Sequence, residues 1–354
     1  MVTRIVGVLN VTPDSFSDGG RFSSVQDAVA AGLAMVADGA DWIDVGGEST
    51  RPGAVPVPEV EEIARVVPVI RGRSKHLPAT VRVSVDTYRA ATARAALAEG
   101  ATAINDVSGG LLDPEILRVA AAGRAAMVVG HLRGKPADMQ AHVHFDNVVD
   151  EVAAELASRV AAAQAAGCSE VWADPGIGFG KLLEHNLCLL RNLARLRRQA
   201  GVPLMVGVSR KRFIGDLISS WEPSEGSLRP SAPPRPAPTP LADARPRQTL
   251  RLPPATPSPL ASLGLARWSA AGDEGAREAR GAGRVVVGPE APAGGAGGLP
   301  TRAIRPPSER IFGTAAAVAV AIMNGADAVR VHDVVAMRDV VRVVEAIARA
   351  SQLD

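Results

Sequence analysis

The sequence has 354 residues, of which 47% are hydrophobic and 21% charged, and its formal net charge of +2 is typical of a globular protein. So small a net charge gives no reason to expect a nucleic acid or a membrane as a partner, and no apolar run reaches the ~20 residues of a membrane span. The two cysteines, Cys168 and Cys188, lack metal-ligand spacing and predict buried, reduced thiols in a cytoplasmic protein.

Short Val- and Ile-rich runs alternate with longer Ala-rich stretches along most of the chain. The predicted strands, in chain order, are Ile5–Leu9, Trp42–Val45, Val81–Val85, Ala103–Asn105, Ala126–Val129, Val171–Ala173, Leu204–Val208 and Ala328–Val331. The predicted helices are Val25–Asp38, Pro58–Arg71, Arg89–Glu99, Pro114–Ala122, Val148–Ala166, His185–Gln199, Phe312–Asn324 and Val334–Ala350. Eight β-then-α units of this length predict a (β/α)8 barrel of parallel strands, the TIM barrel. A doubly wound open sheet is the structural alternative, although it more often has fewer strands.

One segment interrupts this alternation between strand seven and helix seven. Between Trp221 and Glu309 the chain holds 17 of its 27 prolines, mixed with glycine and arginine. Such a composition cannot bury enough apolar surface to offset the entropy of ordering, so it predicts a disordered insertion. We assign residues 222–307 to this insertion, and residues 1–221 and 308–354 together to one barrel. The remaining length is close to the ~250 residues typical of this fold.

Polar residues collect where the predicted strands end. In a barrel of parallel strands the active site lies at these carboxyl ends. Seven strands contribute: Asn10, 48–51, Asp86, Asn105–Asp106, Asp174, 209–211, and Arg330 with His332. Any one of these residues is more often a cap or loop residue. That interpretation fails for seven strands at once, because the opposite strand ends carry mostly Gly, Ala and Pro.

These polar residues fall into two groups by their chemistry. The first combines carboxylates, an amide and a cation: Asp86, Asn105, Asp174 and Lys211. This group suits a flat heterocycle with an amidine-like edge, because a carboxylate can accept two parallel N–H bonds. The second combines cations, an imidazole and an amide: Asn10, Arg51, Arg330 and His332. This group suits a phosphate-type anion.

Seven segments resemble the dihydropteroate synthase family and run in the family's order: Asn10–Gly19, Asp44–Gly53, Ser84–Thr87, Ile104–Val107, Asp174–Lys181, Val208–Lys211 and Val329–Asp333. The resemblance covers nearly all of the chain outside the predicted insertion, and the two long early segments are highly specific. It implies a transferase of folate biosynthesis that joins 6-hydroxymethyl-7,8-dihydropterin diphosphate to p-aminobenzoate, releasing 7,8-dihydropteroate and diphosphate. It also implies Mg²⁺ as the cofactor and a homodimer.

The resemblance further implies residue roles. The pterin-binding positions are Asp86, Asn105, Asp174, Gly178, Phe179 and Lys211. The diphosphate-binding positions are Asn10, Arg51, Arg330 and His332, and Asn10 also meets Mg²⁺. The p-aminobenzoate positions, where sulfonamides compete, are Phe16, Thr50, Pro52 and Lys211. The implied catalytic residues are Asp86, Lys211, Arg330 and His332: the C–O bond breaks first, Asp86 stabilises the pterin methylene cation, and the arylamine attacks carbon.

Two other functions remain as alternatives. Another pterin-binding barrel, such as a methyltetrahydrofolate:corrinoid methyltransferase, would share Asp86, Asn105 and Asp174 but has no need for a diphosphate site. A catalytically silent paralogue that binds a pterin should have lost some of the ionic residues, and all of those sought are present. Release of diphosphate would separate the synthase from both.

Three further features carry weaker expectations. The segment Gly176–Lys181 resembles a phosphate loop but lacks the required spacing, so it predicts a tight turn after strand six. His131, after strand five, either contacts the pterin or only caps its strand. The family usually begins with extra residues that plug the bottom of the barrel, so here the floor is less covered or the true start lies upstream.

Overall fold

The computed structural model describes residues 2–12, 24–50, 53–74, 77–78, 80–220 and 304–350. Eight strands lie within these ranges: β1 (Arg4–Asn10), β2 (Trp42–Gly46), β3 (Arg82–Asp86), β4 (Ala103–Asp106), β5 (Ala126–Gly130), β6 (Val171–Asp174), β7 (Met205–Gly207) and β8 (Ala328–Val331). They pair in parallel in the order β6-β5-β4-β3-β2-β1-β8-β7. A parallel bridge from Ala173 in β6 to Leu204, beside β7, brings the two edges together. The predicted (β/α)8 barrel is confirmed.

Ten α-helices surround the strands in the described ranges: α1 (Val25–Ala37), α2 (Glu59–Ser74), α3 (Ala90–Ala98), α4 (Glu115–Ala122), α5 (Val148–Ala165), α6 (Leu183–Arg191), α7 (Leu193–Ala200), α8 (Arg212–Ser220), α9 (Ile311–Met323) and α10 (Val334–Ala350). The helix predicted over His185–Gln199 is therefore two helices. At Asn192 between them, the side-chain amide donates to the carbonyl of Cys188 (2.8 Å), and the backbone leaves helical geometry. Helix α8 was not predicted.

The strands are buried because helices cover the outside of the sheet, which leaves parallel strands no solvent face. Every residue of β2, β4 and β5 is buried. Of the two cysteines, Cys168 is buried as predicted, but Cys188 is exposed on α6, so that part of the prediction is wrong. In the described part of the chain, no helix combines the length and the apolar character that a membrane span requires.

The floor of the barrel, at the amino ends of the strands, is filled by side chains of the strands themselves. Trp42 of β2 and Trp172 of β6 meet edge to face, with ring centroids 5.6 Å apart, and both are buried. The guanidinium of Arg82 lies 5.1 Å from the Trp42 ring centroid and donates to Glu170 (2.7 Å), which also accepts from the Trp172 indole (2.9 Å). These contacts pack the amino ends of β2, β3 and β6 together at the floor.

Most of the predicted insertion, residues 222–303, lies outside the described residues. The described chain resumes at Ile304, and a 3₁₀ helix at Pro307–Glu309 leads into α9. The backbone N–H of Arg305 donates to the hydroxyl of Ser219 near the end of α8 (3.1 Å). The two points from which the segment departs and returns are therefore adjacent.

Candidate active site

A pocket opens at the carboxyl ends of the strands, where the polar residues were predicted to collect. Its lining residues are Thr50, Asp86, Asn105, Val107, Gly130, Asp174, Gly176, Phe179, Gly207, Lys211 and Arg330. The structure therefore brings together most of the predicted pterin-binding residues with one predicted diphosphate ligand, Arg330. Three predicted site residues, Phe16, Arg51 and Pro52, lie outside the described residues.

A buried carboxylate that the sequence analysis did not select joins these residues. Asp44, in the middle of β2, is fully buried. Its Oδ1 accepts from the Ser84 hydroxyl (2.6 Å), and its Oδ2 accepts from Nδ2 of Asn105 (3.0 Å) and Nε of Arg330 (2.5 Å). A charged residue inside an otherwise apolar strand is the signal that could have identified it, because an ionised group is buried only with partners.

Asp86 and Arg330 form an ion pair across the mouth of the barrel. Nη2 of Arg330 donates to Oδ2 of Asp86. Burial raises the pKa of Asp86 to about 7, with Arg330 opposing the rise and the carboxylate of Asp44 adding to it. Burial alone would lower the pKa of Arg330, but the carboxylates of Asp44 and Asp86 raise it above its ordinary value. Arg330 is thus a fixed cation held between two carboxylates.

Asp174 and Lys211 form the opposite side of the pocket. Burial raises the pKa of Asp174, while a hydrogen bond from the N–H of Gly176 to its Oδ1 (2.8 Å) and the charge of Lys211 oppose the rise. Nζ of Lys211 lies 3.7 Å from the ring centroid of Phe179, a cation–π distance. A Cβ at Gly178 would lie 3.1 Å from Cδ of Lys211, so glycine lets the lysine stem pass. Phe179 thus forms one wall of the pocket, whereas Gly178 is not among the lining residues and packs against the stem of Lys211.

His332 and Asn10 lie at the seam where β8 meets β1. Nδ1 of His332 is 3.0 Å from the Ser209 hydroxyl, which also accepts from the His332 backbone N–H (3.2 Å). This pairing fixes the ring. A Cβ at Gly46 would lie 3.6 Å from both Oδ1 of Asn10 and Oδ2 of Asp86, so both oxygens lie close to Gly46. The described residues contain no cluster of three or more His, Cys, Asp or Glu side chains able to hold a metal.

Gly130 forms the back of the pocket at the end of β5. A Cβ there would lie 2.6 Å from the carbonyl oxygen of Val107, so the backbone of the neighbouring loop occupies the space of a side chain. Nη1 of Arg159 donates to the Gly130 carbonyl, and its Nη2 donates to that of Leu132 (3.0 Å). The wall is therefore backbone, braced from behind by a buried arginine.

An ionic network supports the loop between β2 and α2, which carries Thr50. Glu48 accepts from the Tyr88 hydroxyl (2.8 Å) and from the backbone N–H of Val57 (3.1 Å). Arg89 lies between Glu48 (2.8 Å) and Glu62 (2.6 Å). Burial, together with the hydrogen bond to Glu48, raises the pKa of Tyr88, so its hydroxyl stays protonated and donates. Both ends of the loop are thus attached to the connection between β3 and α3, and through Arg89 to Glu62 of α2.

Known proteins of one family match this chain. The model of the pterin binding enzyme family matches residues 6–229. The dihydropteroate synthase of Synechocystis sp. is 44% identical over 225 residues, 63% of this chain and 77% of that protein. That of Mycobacterium leprae is 46% identical over 231 residues, 64% of this chain and 78% of that protein. The structure of Xanthomonas albilineans dihydropteroate synthase with 4-aminobenzoic acid has a TM-score of 0.68 and 34% identity, covering 98% of this chain and 93% of that chain.

Proposed function

Because the chain belongs to the pterin binding enzyme family, we infer that its pocket carries out the dihydropteroate synthase reaction. The substrates are 6-hydroxymethyl-7,8-dihydropterin diphosphate and p-aminobenzoate, and the products are 7,8-dihydropteroate and diphosphate. The observation that carries this inference is the contact between Asp86 and Arg330. It joins a carboxylate suited to a cationic pterin with a cation suited to the diphosphate that leaves it.

We propose that the buried acceptors hold the pterin. Asp174 and Asp86 can each accept N–H donors of the heterocycle, and Asn105 is oriented by its bond to Asp44 (3.0 Å). Phe179 supplies a flat apolar surface. Lys211, fixed over that ring, balances the negative charge of Asp174. Gly178 is included in this proposal because a side chain there would press on Lys211.

For the chemical step, we propose that the C–O bond to the diphosphate breaks first and that its electron pair leaves with the diphosphate. Arg330, His332 and Arg51 would stabilise the negative charge on the leaving group. The carboxylate of Asp86 would stabilise the positive charge left on the pterin methylene carbon. The amine of p-aminobenzoate then attacks that carbon and releases a proton to solvent. No residue of the protein becomes covalently attached in this sequence.

The residues at the carboxyl ends of β1 and β3 fit a magnesium ion. Mg²⁺ prefers oxygen ligands and commonly takes only one or two from the protein, with phosphate oxygens and water completing the set. The amide oxygen of Asn10, which like a carboxylate oxygen of Asp86 lies close to Gly46, suits such a site, and Asn10 would hold the ion. When bound, the ion would neutralise charge on the diphosphate.

The p-aminobenzoate site is proposed on the side of the pocket formed by Thr50 and Lys211. Phe16 and Pro52 are included in this proposed site because of the resemblance of the sequence to the family. The ammonium of Lys211, which acts electrostatically on Asp174, can also pair with the carboxylate of p-aminobenzoate. A sulfonamide, with a similar arylamine, would compete there.

Diphosphate release tests the proposal. The full chain is incubated with 6-hydroxymethyl-7,8-dihydropterin diphosphate, with and without p-aminobenzoate and Mg²⁺. The synthase requires both additions for 7,8-dihydropteroate to form. A methyltransferase or a silent paralogue would bind the pterin without forming that product. Asp86→Asn should remove most of the activity, whereas Asp339→Asn, an exposed position on α10, serves as the matched control.

The 222–307 segment is proposed to be an insertion that the reaction does not need. Replacing residues 222–303 by a short linker retains the hydrogen bond between Arg305 and Ser219, the residues on either side of the replaced segment. Loop-closure entropy changes only as the logarithm of length, so we expect the change to alter stability by about 1–2 kcal/mol. Equal kcat in both forms is expected. Activity in the shortened form alone would instead identify the segment as inhibitory.

The outer surface of the barrel supports a homodimer. An apolar groove is lined by residues of α6, α8 and α9: Leu187, Leu190, Arg191, Phe213, Ile214, Leu217, Ile218, Gly313, Ala316, Ala317, Val320 and Asn324. Exposed apolar side chains flank it, including Phe312 at 86% exposure. We propose that a second copy of the chain covers this apolar surface. Light scattering should give a dimer mass that Leu217→Glu abolishes and Val343→Glu, on α10, leaves unchanged.

A further inference from the structure

A buried lysine lies behind the pocket without lining it. Lys181, at the end of the loop after β6, is 5% exposed. Its ammonium donates to the carbonyl of Gly176 (3.0 Å), the carbonyl of Phe179 (3.1 Å) and Nδ1 of His131 (2.9 Å). Burial lowers the pKa of Lys181 to about 7, while the carboxylate of Asp174 opposes the fall, so the protonated form depends on its hydrogen bonds being satisfied. All three donors of Lys181 are used.

The direction of this side chain distinguishes the loop from a phosphate-binding loop. In a phosphate loop the lysine points toward the bound anion, and the glycine N–H groups surround it. Here the ammonium turns inward to two carbonyls of its own loop. The predicted tight turn after strand six is present, and the ammonium of Lys181 lies inside it.

The backbone of the loop needs such a brace. Gly176, Gly178 and Gly180 all have positive φ, between +55° and +82°, which side chains rarely adopt. A Cβ at Gly176 would lie 2.0 Å from the carbonyl oxygen of His131. Three glycines within five residues leave the chain many conformations to lose on folding. The N–H of Phe179 donates to the carbonyl of Gly176 (3.0 Å), and the ammonium of Lys181 adds a second link between these two ends of the turn.

The neighbours of Lys181 keep a hydrogen-bond acceptor in front of it. Burial, together with the charge of Lys181, lowers the pKa of His131 to about 3, so the imidazole is neutral. Nε2 of His131 is 3.0 Å from Oε2 of Glu155, although the alignment is too poor for a regular hydrogen bond. Because the ammonium of Lys181 lies 2.9 Å from Nδ1 and can only donate, Nδ1 is the acceptor and the proton of the neutral ring is on Nε2, toward Glu155. His131 therefore serves Lys181 and does not reach the pocket.

The same loop carries the pocket wall. Phe179 is two residues before Lys181, and its carbonyl accepts from the lysine while its ring lies under Nζ of Lys211 (3.7 Å). On the outer side, the N–H of Gly178 donates to Oδ1 of Asn186 (2.6 Å). The position of the aromatic wall is thus set from two directions, by a buried cation and by a buried amide.

We propose that Lys181 is a positioning residue for pterin recognition: its ammonium, bonded to the carbonyls of Gly176 and Phe179, holds the Phe179 ring against Lys211 in the pterin pocket. Asp174, Arg159, Glu155 and Lys211 are the charged groups facing it. This inference rests on the proposed synthase function, because it assigns Lys181 to the pterin half of that reaction. Loss of the ammonium would release the wall and leave the diphosphate residues in place.

Lys181→Met tests the proposal, because methionine matches the stem of lysine and lacks the donor. We expect the KM for the pterin diphosphate to rise about tenfold or more, with kcat at saturation changed less than about threefold. The dissociation constant of the pterin diphosphate, measured by calorimetry without p-aminobenzoate, should rise by the same factor. Lys135→Met, an exposed lysine before α5, is the matched control and should change neither.

A double-mutant cycle separates positioning from general loosening. If Lys181 acts through Phe179, then Lys181→Met combined with Phe179→Leu should bind the pterin no worse than Phe179→Leu alone. Additive losses would overturn the proposal. Lys181→Gln, which keeps a shorter amide donor, should lie between the wild type and Lys181→Met. If both Lys181 variants unfold, the residue is structural and the proposal is wrong. If the wild type binds the pterin but forms no product, the proposed function fails while the cycle still tests Lys181.

Discussion

Arg330 on β8 and Asp44 on β2 meet inside the barrel, with Nε of the arginine 2.5 Å from Oδ2 of the aspartate. One strand, β1, lies between them in the sheet. Asp44 also holds Asn105 (3.0 Å), so a single buried carboxylate orients a proposed diphosphate ligand and a proposed pterin ligand. The proposed pterin and diphosphate sites therefore share one hydrogen-bonded residue, Asp44, which does not itself line the pocket.

We expect Asp44→Asn to lower kcat/KM by about 100-fold, because the neutral amide removes the buried negative charge that pairs with Arg330. Steady-state kinetics with both substrates varied measures the loss. Ser84→Ala is the control, since the Ser84 hydroxyl contacts Oδ1 of Asp44 (2.6 Å) and not the Oδ2 that holds Arg330 and Asn105, and it should cost less than about fivefold. Equal losses in the two variants would argue against the orienting role.

The activity should depend on pH through Asp86. Its pKa is raised to about 7, above the ordinary value of 3.8. The folded state therefore binds this proton more tightly than the unfolded state does. The resulting contribution to the free energy of unfolding is fully present below pH 3.8 and is lost as the pH rises through about 7. The ionised form is the one that would stabilise a pterin cation. Hence kcat/KM should fall about tenfold per pH unit below about 7, while circular dichroism shows no unfolding. A flat profile down to pH 5 would contradict this assignment.

Tyr88→Phe should weaken p-aminobenzoate binding. The hydroxyl donates to Glu48 (2.8 Å) and accepts from Arg89 (2.9 Å), so its loss loosens the loop that carries Thr50. We expect the KM for p-aminobenzoate to rise about threefold to tenfold and the affinity for the pterin diphosphate to change less than about twofold. Thr92→Val, which removes only the bond to Glu62 (2.9 Å), should leave both constants near their wild-type values.

Arg73→Met should stabilise the protein. Arg73 is fully buried between α1 and α2, and its three guanidinium nitrogens have no hydrogen-bond partner among the residues that the structure describes. Burial lowers its pKa to about 10, so it remains charged at neutral pH. Removing an unpaired buried charge should raise the free energy of unfolding by about 1–3 kcal/mol.

Thermal denaturation checks this prediction. The melting temperature should rise by about 2–4 °C for each kcal/mol in a domain of this size. The guanidinium occupies the space above Gly32, where a Cβ would lie 0.4 Å from Nη2, so methionine has room to replace it. Arg71→Met, two residues earlier and paired with Glu99 on the surface, should change the melting temperature little. A fall in stability for Arg73→Met would mean that the guanidinium has a partner.

The sequence predicted the barrel and much of its site because both follow from local pattern. The Val- and Ile-rich runs locate the strands, and the carboxyl ends of parallel strands meet on one rim of a barrel. This was enough to place Asp86, Asn105 and Asp174 together. Boundaries were less predictable. The break at Asn192 depends on a side chain bonding its own helix, and α8 is too short and too close to the Pro-rich segment to stand out.

What the sequence could not indicate were contacts between distant residues. Asp44 is separated from Arg330 by 286 positions, and Lys181 is separated from His131 by 50. Neither pairing follows from spacing, because each depends on which strands become neighbours in the folded sheet: β5 and β6 for His131 and Lys181, and β2 and β8 on either side of β1 for Asp44 and Arg330. Lys181 lies in a recognised segment, yet only the structure shows that it faces inward.

The two tryptophans of the barrel floor have a spectroscopic consequence. β2 and β6 are four strands apart in an eight-stranded ring, so Trp42 and Trp172 touch across its diameter. The chain holds four tryptophans, and the other two, Trp221 and Trp268, lie outside the described residues. With those two changed to phenylalanine, the near-ultraviolet signal of the coupled indoles would come from this contact alone. It would then report ring closure during refolding, separately from the far-ultraviolet signal of helix formation.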